Sequence, residues 1–222
     1  MTRRFRFSDP EEDTWHWFEV GDDGWALRQA GFDRAREIPY LPEWRPERAD
    51  HTDGGASVAA SQAQLSAVRE QFGLFGVQLY EAVYGVLGEG PVEEPPGAVP
   101  VTEAVFERAW RTAMMDRHFS RYDTGPLPQG ARVTGTVRAL PWGAGRTGLV
   151  VDIGQTVGAF VDVLHLPHEA EDWPPVDTVT EFEVTTIRFY DWKPGERPGA
   201  QIRLRPTATP PPGEPWPRPG PR

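Results

Sequence analysis

The sequence GLVVDIGQTVGAFVDV, residues 148–163, decides the fold class of the C-terminal part of this chain. It holds two short β-type runs, Gly148–Ile153 and Val157–Val163, separated by a glycine-containing turn. A β-type run that begins at Gly130 comes before them, and two more, Thr180–Tyr190 and Gln201–Leu204, come after them. Five such runs separated by glycine, proline and aspartate predict a small β-barrel of five strands over residues 128–206.

The composition limits the classes of protein and partner. With 222 residues, 38% of them hydrophobic, the chain has room for a core and for one or two domains. The absence of cysteine excludes disulfides and thiolate chemistry and fits a reducing compartment. The sequence has neither a signal-peptide pattern nor an apolar run long enough for a membrane span, so it predicts a cytoplasmic protein without a membrane partner. The formal net charge of −10 opposes non-specific binding to nucleic acid, although a locally basic face is compatible with it.

Residues 1–122 are predicted to form a mixed α/β region. The β-type runs Thr14–Val20 and Trp25–Ala30 flank an Asp-Gly turn, which predicts a β-hairpin over residues 14–30. Side-chain alternation places Trp15 and Trp17 on one face of this hairpin. The tryptophans stand among acidic residues, so they either pack into a small core or form an acidic, aromatic surface for a protein partner.

Helices and a tail complete the predicted organisation. Ser61 and Gln64 form a capping-box pattern, and the apolar residues that follow predict a helix over about residues 61–87, weakened at Gly73. Thr102 is the expected N-cap of a second helix over about residues 103–121. Residues 207–222 are so rich in proline that we expect a disordered tail.

The glycine and apolar spacing of the barrel matches a known family. The matching positions, in chain order, are Gly130, Gly135 and Val137, then the runs Gly148–Ile153, Ala159–Leu164 and Gln201–Leu204. In these positions the chain resembles the S-one RNA-binding domain, an OB-fold module first known from ribosomal small-subunit protein one. Asp162 stands where the family prefers histidine. The resemblance covers the final third of the chain and implies an OB-type barrel that binds single-stranded RNA.

The resemblance also implies which residues contact RNA. The family stacks bases on two aromatic residues that flank the glycine of its second strand, and Thr147 and Val150 occupy those places here. Trp142 and Phe160 are the candidate replacements, because stacking on aromatic rings supplies much of the affinity for single strands. The alternative for these two residues is that their rings seal the barrel. The candidates for phosphate contacts are Arg138, Arg146 and Arg203.

The sequence predicts no cofactor, metal or catalytic site. Gly143–Gly148 matches the Gly-x-Gly-x-x-Gly dinucleotide fingerprint, but a β-type run follows it instead of the helix that the fingerprint needs. His165 and His168 stand near carboxylates, but prolines bracket them in an acidic segment that is typical of a solvated loop. The sequence contains no nucleophile elbow, zincin helix or Walker loop, so we expect the protein not to be an enzyme.

These patterns together predict an α+β fold, with an N-terminal β-hairpin and helices followed by a C-terminal OB-type barrel. The predicted function is non-enzymatic binding of RNA or another single-stranded nucleic acid. The alternative is a protein-interaction module, such as an immunity- or antitoxin-like protein, whose acidic N-terminal region docks a basic partner. A basic groove around Trp142, Arg146 and Arg203 would favour RNA, and an acidic one would favour a protein.

Overall fold

The computed structural model describes residues 2–39, 54–192 and 197–220. In this part of the chain it shows an α+β fold with a five-stranded sheet, a closed five-stranded β-barrel and two α-helices. The chain divides into two compact units. The first comprises Met1–Glu70 and Tyr80–Tyr122, and the second comprises Gln71–Leu79 and Asp123–Arg222. The segment Gln71–Leu79 therefore belongs to the second unit, although the sequence places it within the N-terminal region.

The first unit is built on an antiparallel sheet. Its strands are β1 (Arg3–Asp9), β2 (Thr14–Val20), β3 (Ala26–Asp33), β4 (Gly55–Ser61) and β5 (Val99–Pro100). Their order is β4-β3-β2-β1-β5, and each neighbouring pair is antiparallel. β2 and β3, which cover the hairpin expected over residues 14–30, pair with each other. They are two of the five strands of this sheet, whereas the sequence predicts the hairpin alone.

Different groups bury the two faces of this sheet. On one face, the Arg6 guanidinium carbon lies 5.1 Å from a ring centre of Trp15 and of Trp17, and Trp17 is fully buried. The apolar cluster on the other face consists of Phe5, Phe18, Val20 and Ala26, with Phe7, Leu87, Val92 and Ala98 packed against them. The division follows from the alternation of side chains along the strands.

The two helices lie close to their expected bounds. α1 spans Gln62–Tyr84 and α2 spans Glu103–Phe119. At the start of α2, Thr102 Oγ1 accepts a hydrogen bond from the Val105 N–H at 3.4 Å. α1 is kinked at Gly73, where a φ of 68° lies in the left-handed region that glycine tolerates. Within the described ranges, neither helix is long and apolar enough to cross a membrane.

The second unit is built on the barrel. Its strands are β6 (Arg132–Ala139), β7 (Gly148–Asp152), β8 (Gly158–Asp162), β9 (Val179–Tyr190) and β10 (Gly199–Pro206). The closed order is β10-β8-β7-β6-β9, with β8 and β10 parallel and the other pairs antiparallel. The five-stranded barrel predicted from the sequence is therefore confirmed. The side chains that fill it include Val137, Leu149, Val161, Phe182, Ile187, Ile202 and Leu204.

The connection from β8 to β9 and the residues after β10 meet at one edge of the barrel. The connection contains two short 3₁₀ turns, η1 (Val163–His165) and η2 (Ala170–Asp172). The Trp216 indole N–H donates a hydrogen bond to the Asp172 carbonyl at 2.9 Å. The structure thus holds part of the proline-rich segment against η2, whereas its composition predicts a disordered tail. The residues between the prolines supply the donors that composition alone does not reveal, as the hydrogen bonds of Thr207, Gly213 and Trp216 show.

Candidate nucleic-acid interface

The candidate interface lies on the outer surface of the barrel, across β8, β10 and β9. Ala159 and Val161 point into the barrel, so Phe160 between them points outwards. Arg203 likewise points outwards from β10, between two fully buried neighbours. The register pairs Arg203 with Phe160, so these two outward side chains are neighbours on adjacent strands.

The Phe160 ring is covered from outside the barrel. The guanidinium carbon of Arg203 lies 5.0 Å from the ring centre, which is a cation–π contact, and only 9% of Phe160 is exposed. Gly148 on β7 leaves room for the ring, because a Cβ atom at this position would lie 2.9 Å from Phe160 Cζ. Phe160 is therefore a buried ring on the outer side of β8, and its burial is also compatible with the alternative that it seals the barrel.

The surroundings of Arg203 favour an anion. Its Nη1 lies 3.5 Å from Asp162 Oδ2, and its Nε is buried with no hydrogen-bond partner among the described residues. Burial lowers the pKa of Arg203, and the like charge of Arg188 lowers it further, against the raising effect of Asp162. An arginine side chain stays protonated at neutral pH despite such a shift. A bound anion would relieve the repulsion between the two arginines.

Two residues of this surface were missed by the sequence reasoning. Arg188 and Tyr190 alternate along β9 with the buried Ile187 and Phe189, so their side chains lie on the outside of the barrel. Tyr190 is 46% exposed, and its ring lies against Gly199 on β10, where a Cβ atom would collide with it. The signal that could have identified both residues is the alternation together with the residue types, because Ile187 and Phe189 suit a core and the charged Arg188 suits the opposite side, which Tyr190 shares.

We call the surface formed by Phe160, Arg188, Tyr190 and Arg203 the Arg203 face. It presents two guanidinium groups together with two aromatic rings, one of them open to solvent. Guanidinium groups bind phosphate with paired, directional hydrogen bonds, and aromatic rings stack on nucleobases of any sequence. The face can therefore offer both kinds of contact that a single strand needs.

Trp142 and Arg146 lie on the loop that joins β6 to β7. Trp142 is 63% exposed, and Arg146 is also exposed and forms no ion pair with a described carboxylate. Trp142 therefore does not seal the barrel. Gly148 begins a strand and not a helix, so the glycine-rich loop lacks the helix N-terminus that dinucleotide binding requires. These observations agree with the interpretation of residues 143–147 as a loop between barrel strands.

Arg138 differs from the other arginine candidates because acidic side chains already surround it. Its Nη2 lies 2.9 Å from Asp152 Oδ2, and its Nη1 lies 3.7 Å from Asp177 Oδ1. The pKa of Asp152 is lowered by a hydrogen bond from the Gly154 N–H and by Arg138. The two carboxylates leave little net positive charge here, so Arg138 is the least suited of the candidates to a phosphate.

The remaining sequence candidates are not residues of the Arg203 face. Trp17 is fully buried in the first unit, whereas Trp25 is 45% exposed. His168 is exposed and pairs with Glu169 at 3.1 Å, as expected of a solvated loop. No family model matches the chain, and no curated protein matches its sequence. The geometry of the Arg203 face is therefore the observation from which a function can be inferred.

Proposed function

We propose that this protein binds single-stranded nucleic acid, with RNA as the favoured ligand, through the outer surface of an OB-type barrel. The observation that carries the proposal is the pairing of Arg203 with Phe160 on adjacent strands, beside Arg188 and the exposed Tyr190. The proposal includes no catalytic step and no cofactor. A cytoplasmic location is part of it, because a chain without cysteine fits a reducing compartment.

The barrel topology supports an OB-type assignment. OB folds are five-stranded Greek-key barrels that bind oligonucleotides on the face of their second and third strands and with the loop between the first two. In this barrel the third strand, β8, carries Phe160, and the first loop carries Trp142 and Arg146. The other residues of the Arg203 face lie on the fourth and fifth strands, β9 and β10, so the proposed surface extends beyond the face that is typical of OB folds. The spacing of Gly130, Gly135 and Val137 supports the further proposal of an S-one type domain.

The aromatic rings and the guanidinium groups of the Arg203 face suit different parts of a nucleotide. Tyr190 is the exposed ring on which a base can stack, while Arg188 and Arg203 are the donors for the adjacent phosphates. Phe160 is covered by Arg203, so it acts mainly by positioning the guanidinium plane. Trp142 and Arg146, on the loop between β6 and β7, would add further contacts to the nucleic acid.

The net negative charge of the chain is expected to keep this binding weak. The formal net charge of −10 repels a polyanion, and two or three arginines release few counterions when they bind phosphates. The affinity should therefore fall steeply as salt is added. The preference for RNA over DNA rests on the family resemblance, since 2′-hydroxyl contacts distinguish the two ligands.

The alternative of a protein-interaction module receives less support from the first unit. It relies on a tryptophan-rich surface, but Trp17 is fully buried and Trp15 is half-buried beside Arg6. Trp25 is the exposed tryptophan of that group, at 45%. We therefore place nucleic-acid binding first.

The deciding experiment is fluorescence anisotropy with short labelled RNAs, and with DNA of the same sequence, at low salt. We expect saturable binding that Tyr190→Ala weakens about 5- to 150-fold, the range for loss of one stacked base. Trp25→Ala, which removes an exposed aromatic ring from the first unit, is the matched control and should leave the affinity unchanged. Absence of binding by the parent chain, or equal losses in the two variants, would contradict the proposal.

A further inference from the structure

The proline-rich segment after β10 is attached to the barrel by directional hydrogen bonds. At its start, the Thr207 N–H and hydroxyl both donate to the Glu181 carbonyl, at 3.1 and 3.2 Å. Further along, the Gly213 N–H donates to Asp172 Oδ1 at 2.9 Å. Trp216 then donates its indole N–H to the carbonyl of the same aspartate at 2.9 Å. Asp172 thus accepts from two points of the segment.

A buried hydroxyl of the barrel also donates to the backbone of this segment. Thr180, which is 2% exposed at the start of β9, donates from Oγ1 to the Pro217 carbonyl at 2.7 Å. Proline-rich chains in the polyproline II conformation form no hydrogen bonds within themselves, so their carbonyls remain free to accept from a binding protein. A buried donor directed at a carbonyl between prolines is therefore suited to recognition of such a segment.

The segment and the residues on the barrel side together line an open pocket of about 930 Å³. Trp173, Pro175 and Thr178 line it from the barrel side, and Pro215, Trp216 and Pro219 line it from the segment. Trp173 is 4% exposed, and its indole N–H donates to the Pro167 carbonyl at 2.8 Å, which fixes this wall of the groove. An aromatic wall beside fixed donors is the arrangement by which small domains bind proline-rich peptides.

We propose that the groove between η2 and the start of β9 is a binding site for proline-rich segments that carry a tryptophan. The chain's own residues 213–219 occupy this site in cis. This inference goes beyond nucleic-acid binding and uses none of the residues of the Arg203 face. Because a tethered segment is present at an effective concentration in the millimolar range, a proline-rich segment of another molecule enters the site only by displacing the tail.

The test uses the full-length chain with its tail released by Gly213→Pro and Trp216→Ala. Proline removes the N–H that Asp172 accepts and cannot adopt the φ of 77° found at Gly213, and alanine removes the indole donor. A labelled peptide with the natural sequence of residues 207–222 is then titrated and followed by fluorescence anisotropy. We expect saturable binding to the released chain and at least 10-fold weaker binding to the parent chain, whose tail already fills the groove.

Matched variants identify the site. Adding Thr180→Val to the released chain removes the groove's hydroxyl donor and should weaken peptide binding about 2- to 10-fold, the range for one hydrogen bond. Adding Trp142→Ala, which changes an exposed loop of the same barrel, should have no effect. A scrambled peptide of the same composition, and a peptide with Trp216→Ala, should not bind. Equal binding to parent and released chains, binding of the scrambled peptide, or no binding at all would overturn the proposal.

A second measurement does not depend on the folding of the released chain. In the parent chain, the indole N–H of Trp216 is hydrogen-bonded and should exchange with solvent at least 10-fold more slowly than that of the exposed Trp142. The two signals are assigned in nitrogen-15 spectra with Trp216→Phe and Trp142→Phe. Equal exchange rates for the two indoles would also overturn the proposal, since the tail would then not occupy the groove.

Discussion

Arg203 and Phe160 are paired on parallel strands of the barrel, and the guanidinium carbon lies 5.0 Å from the centre of the ring. The contact fixes a cation on the outer surface while its Nε remains without a hydrogen-bond partner among the described residues. A positive group held in place loses less conformational entropy when it binds a phosphate than one on a free side chain. The pairing therefore connects the local geometry of β8 and β10 with the proposed affinity for nucleic acid.

Removal of the Arg203 charge should reduce the salt dependence of RNA binding. Arg203→Met keeps the length of the side chain over Phe160 but removes the cation, so the slope of log K against log salt should fall by about one unit. Anisotropy titrations at several salt concentrations measure this slope. Arg205→Met on the same strand is the control, because Arg205 is already paired with Glu183 at 2.7 Å. Identical slopes for Arg203→Met and the parent would remove Arg203 from the interface.

The space beneath this contact depends on Gly148. Its φ of 136° is one that side-chain-bearing residues rarely adopt, and an added Cβ would collide with the Val161 carbonyl and approach the Phe160 ring. Gly148→Ala should lower the free energy of unfolding by about 2–5 kcal/mol, as strain and overpacking add. The control is Gly158→Ala on β8, where an added Cβ meets nothing within 4 Å and the change should stay within about 0.5 kcal/mol. Urea unfolding of both variants measures the difference, and equal stabilities would refute the prediction.

The barrel and its first loop could be predicted because their signals are local. Glycine and apolar spacing identified the five strands, and the β-type run after Gly148 predicted that a strand, not a helix, follows the glycine-rich loop. Alternation alone, however, does not say which alternate residues face inwards. Phe160 has the hydrophobicity of a core residue but occupies an outward position, which is fixed by its pairing with Arg203. The sequence therefore identified both residues as candidates without showing that they touch.

Long-range pairing limited the prediction of the first unit. Phe5 and Phe7 alternate with arginines in β1, but their place in a sheet depends on β2 and β5 as partners, and β5 lies about ninety residues further along the chain. Phe72 and Phe75 are among the apolar residues whose helical spacing predicts α1, and such spacing is typical of a face that packs on a core. Both are only half-buried, because the kink at Gly73 breaks the continuity of the helical face. Strand pairing and side-chain burial of this kind depend on tertiary contacts, which the spacing of apolar residues does not reveal.

A buried ion-pair network in the first unit should contribute strongly to stability. Glu19, whose side chain is 9% exposed, lies 2.8 Å from Arg4, and Arg28 also pairs with it. Burial disfavours its charge, but hydrogen bonds from Arg28 and Arg4 outweigh burial and lower the pKa of Glu19. Glu19→Gln leaves two arginines without their shared carboxylate and should cost about 2–4 kcal/mol at pH 7. Chemical unfolding measures this loss.

The matched control and the pH dependence make this prediction specific. Glu94→Gln breaks the exposed pair with Arg3, at 2.9 Å, and should cost less than about 1 kcal/mol. Because folding lowers the pKa of Glu19, its stabilisation is present above the unfolded value of 4.5 and disappears as the pH falls through the folded value. The stability difference between parent and Glu19→Gln should therefore shrink in acid. A difference that is independent of pH would show that the loss is not electrostatic.

His16 on β2 should give the folded chain a second sensitivity to acid. Burial lowers the pKa of His16 below its ordinary value of 6.5, against the raising effect of the Asp9 and Glu12 carboxylates. The unfolded chain therefore binds a proton at this residue at a higher pH than the folded chain does. Stability should fall as the pH drops below 6.5, and the loss should level off once the pH passes the folded pKa. His16→Gln should remove this part of the slope, whereas His168→Gln, which alters an imidazole that is 97% exposed, should not. Urea unfolding at several pH values between about 7.5 and 5 compares the three proteins. Equal slopes of unfolding free energy against pH for His16→Gln and the parent would show that burial does not control the proton affinity of His16.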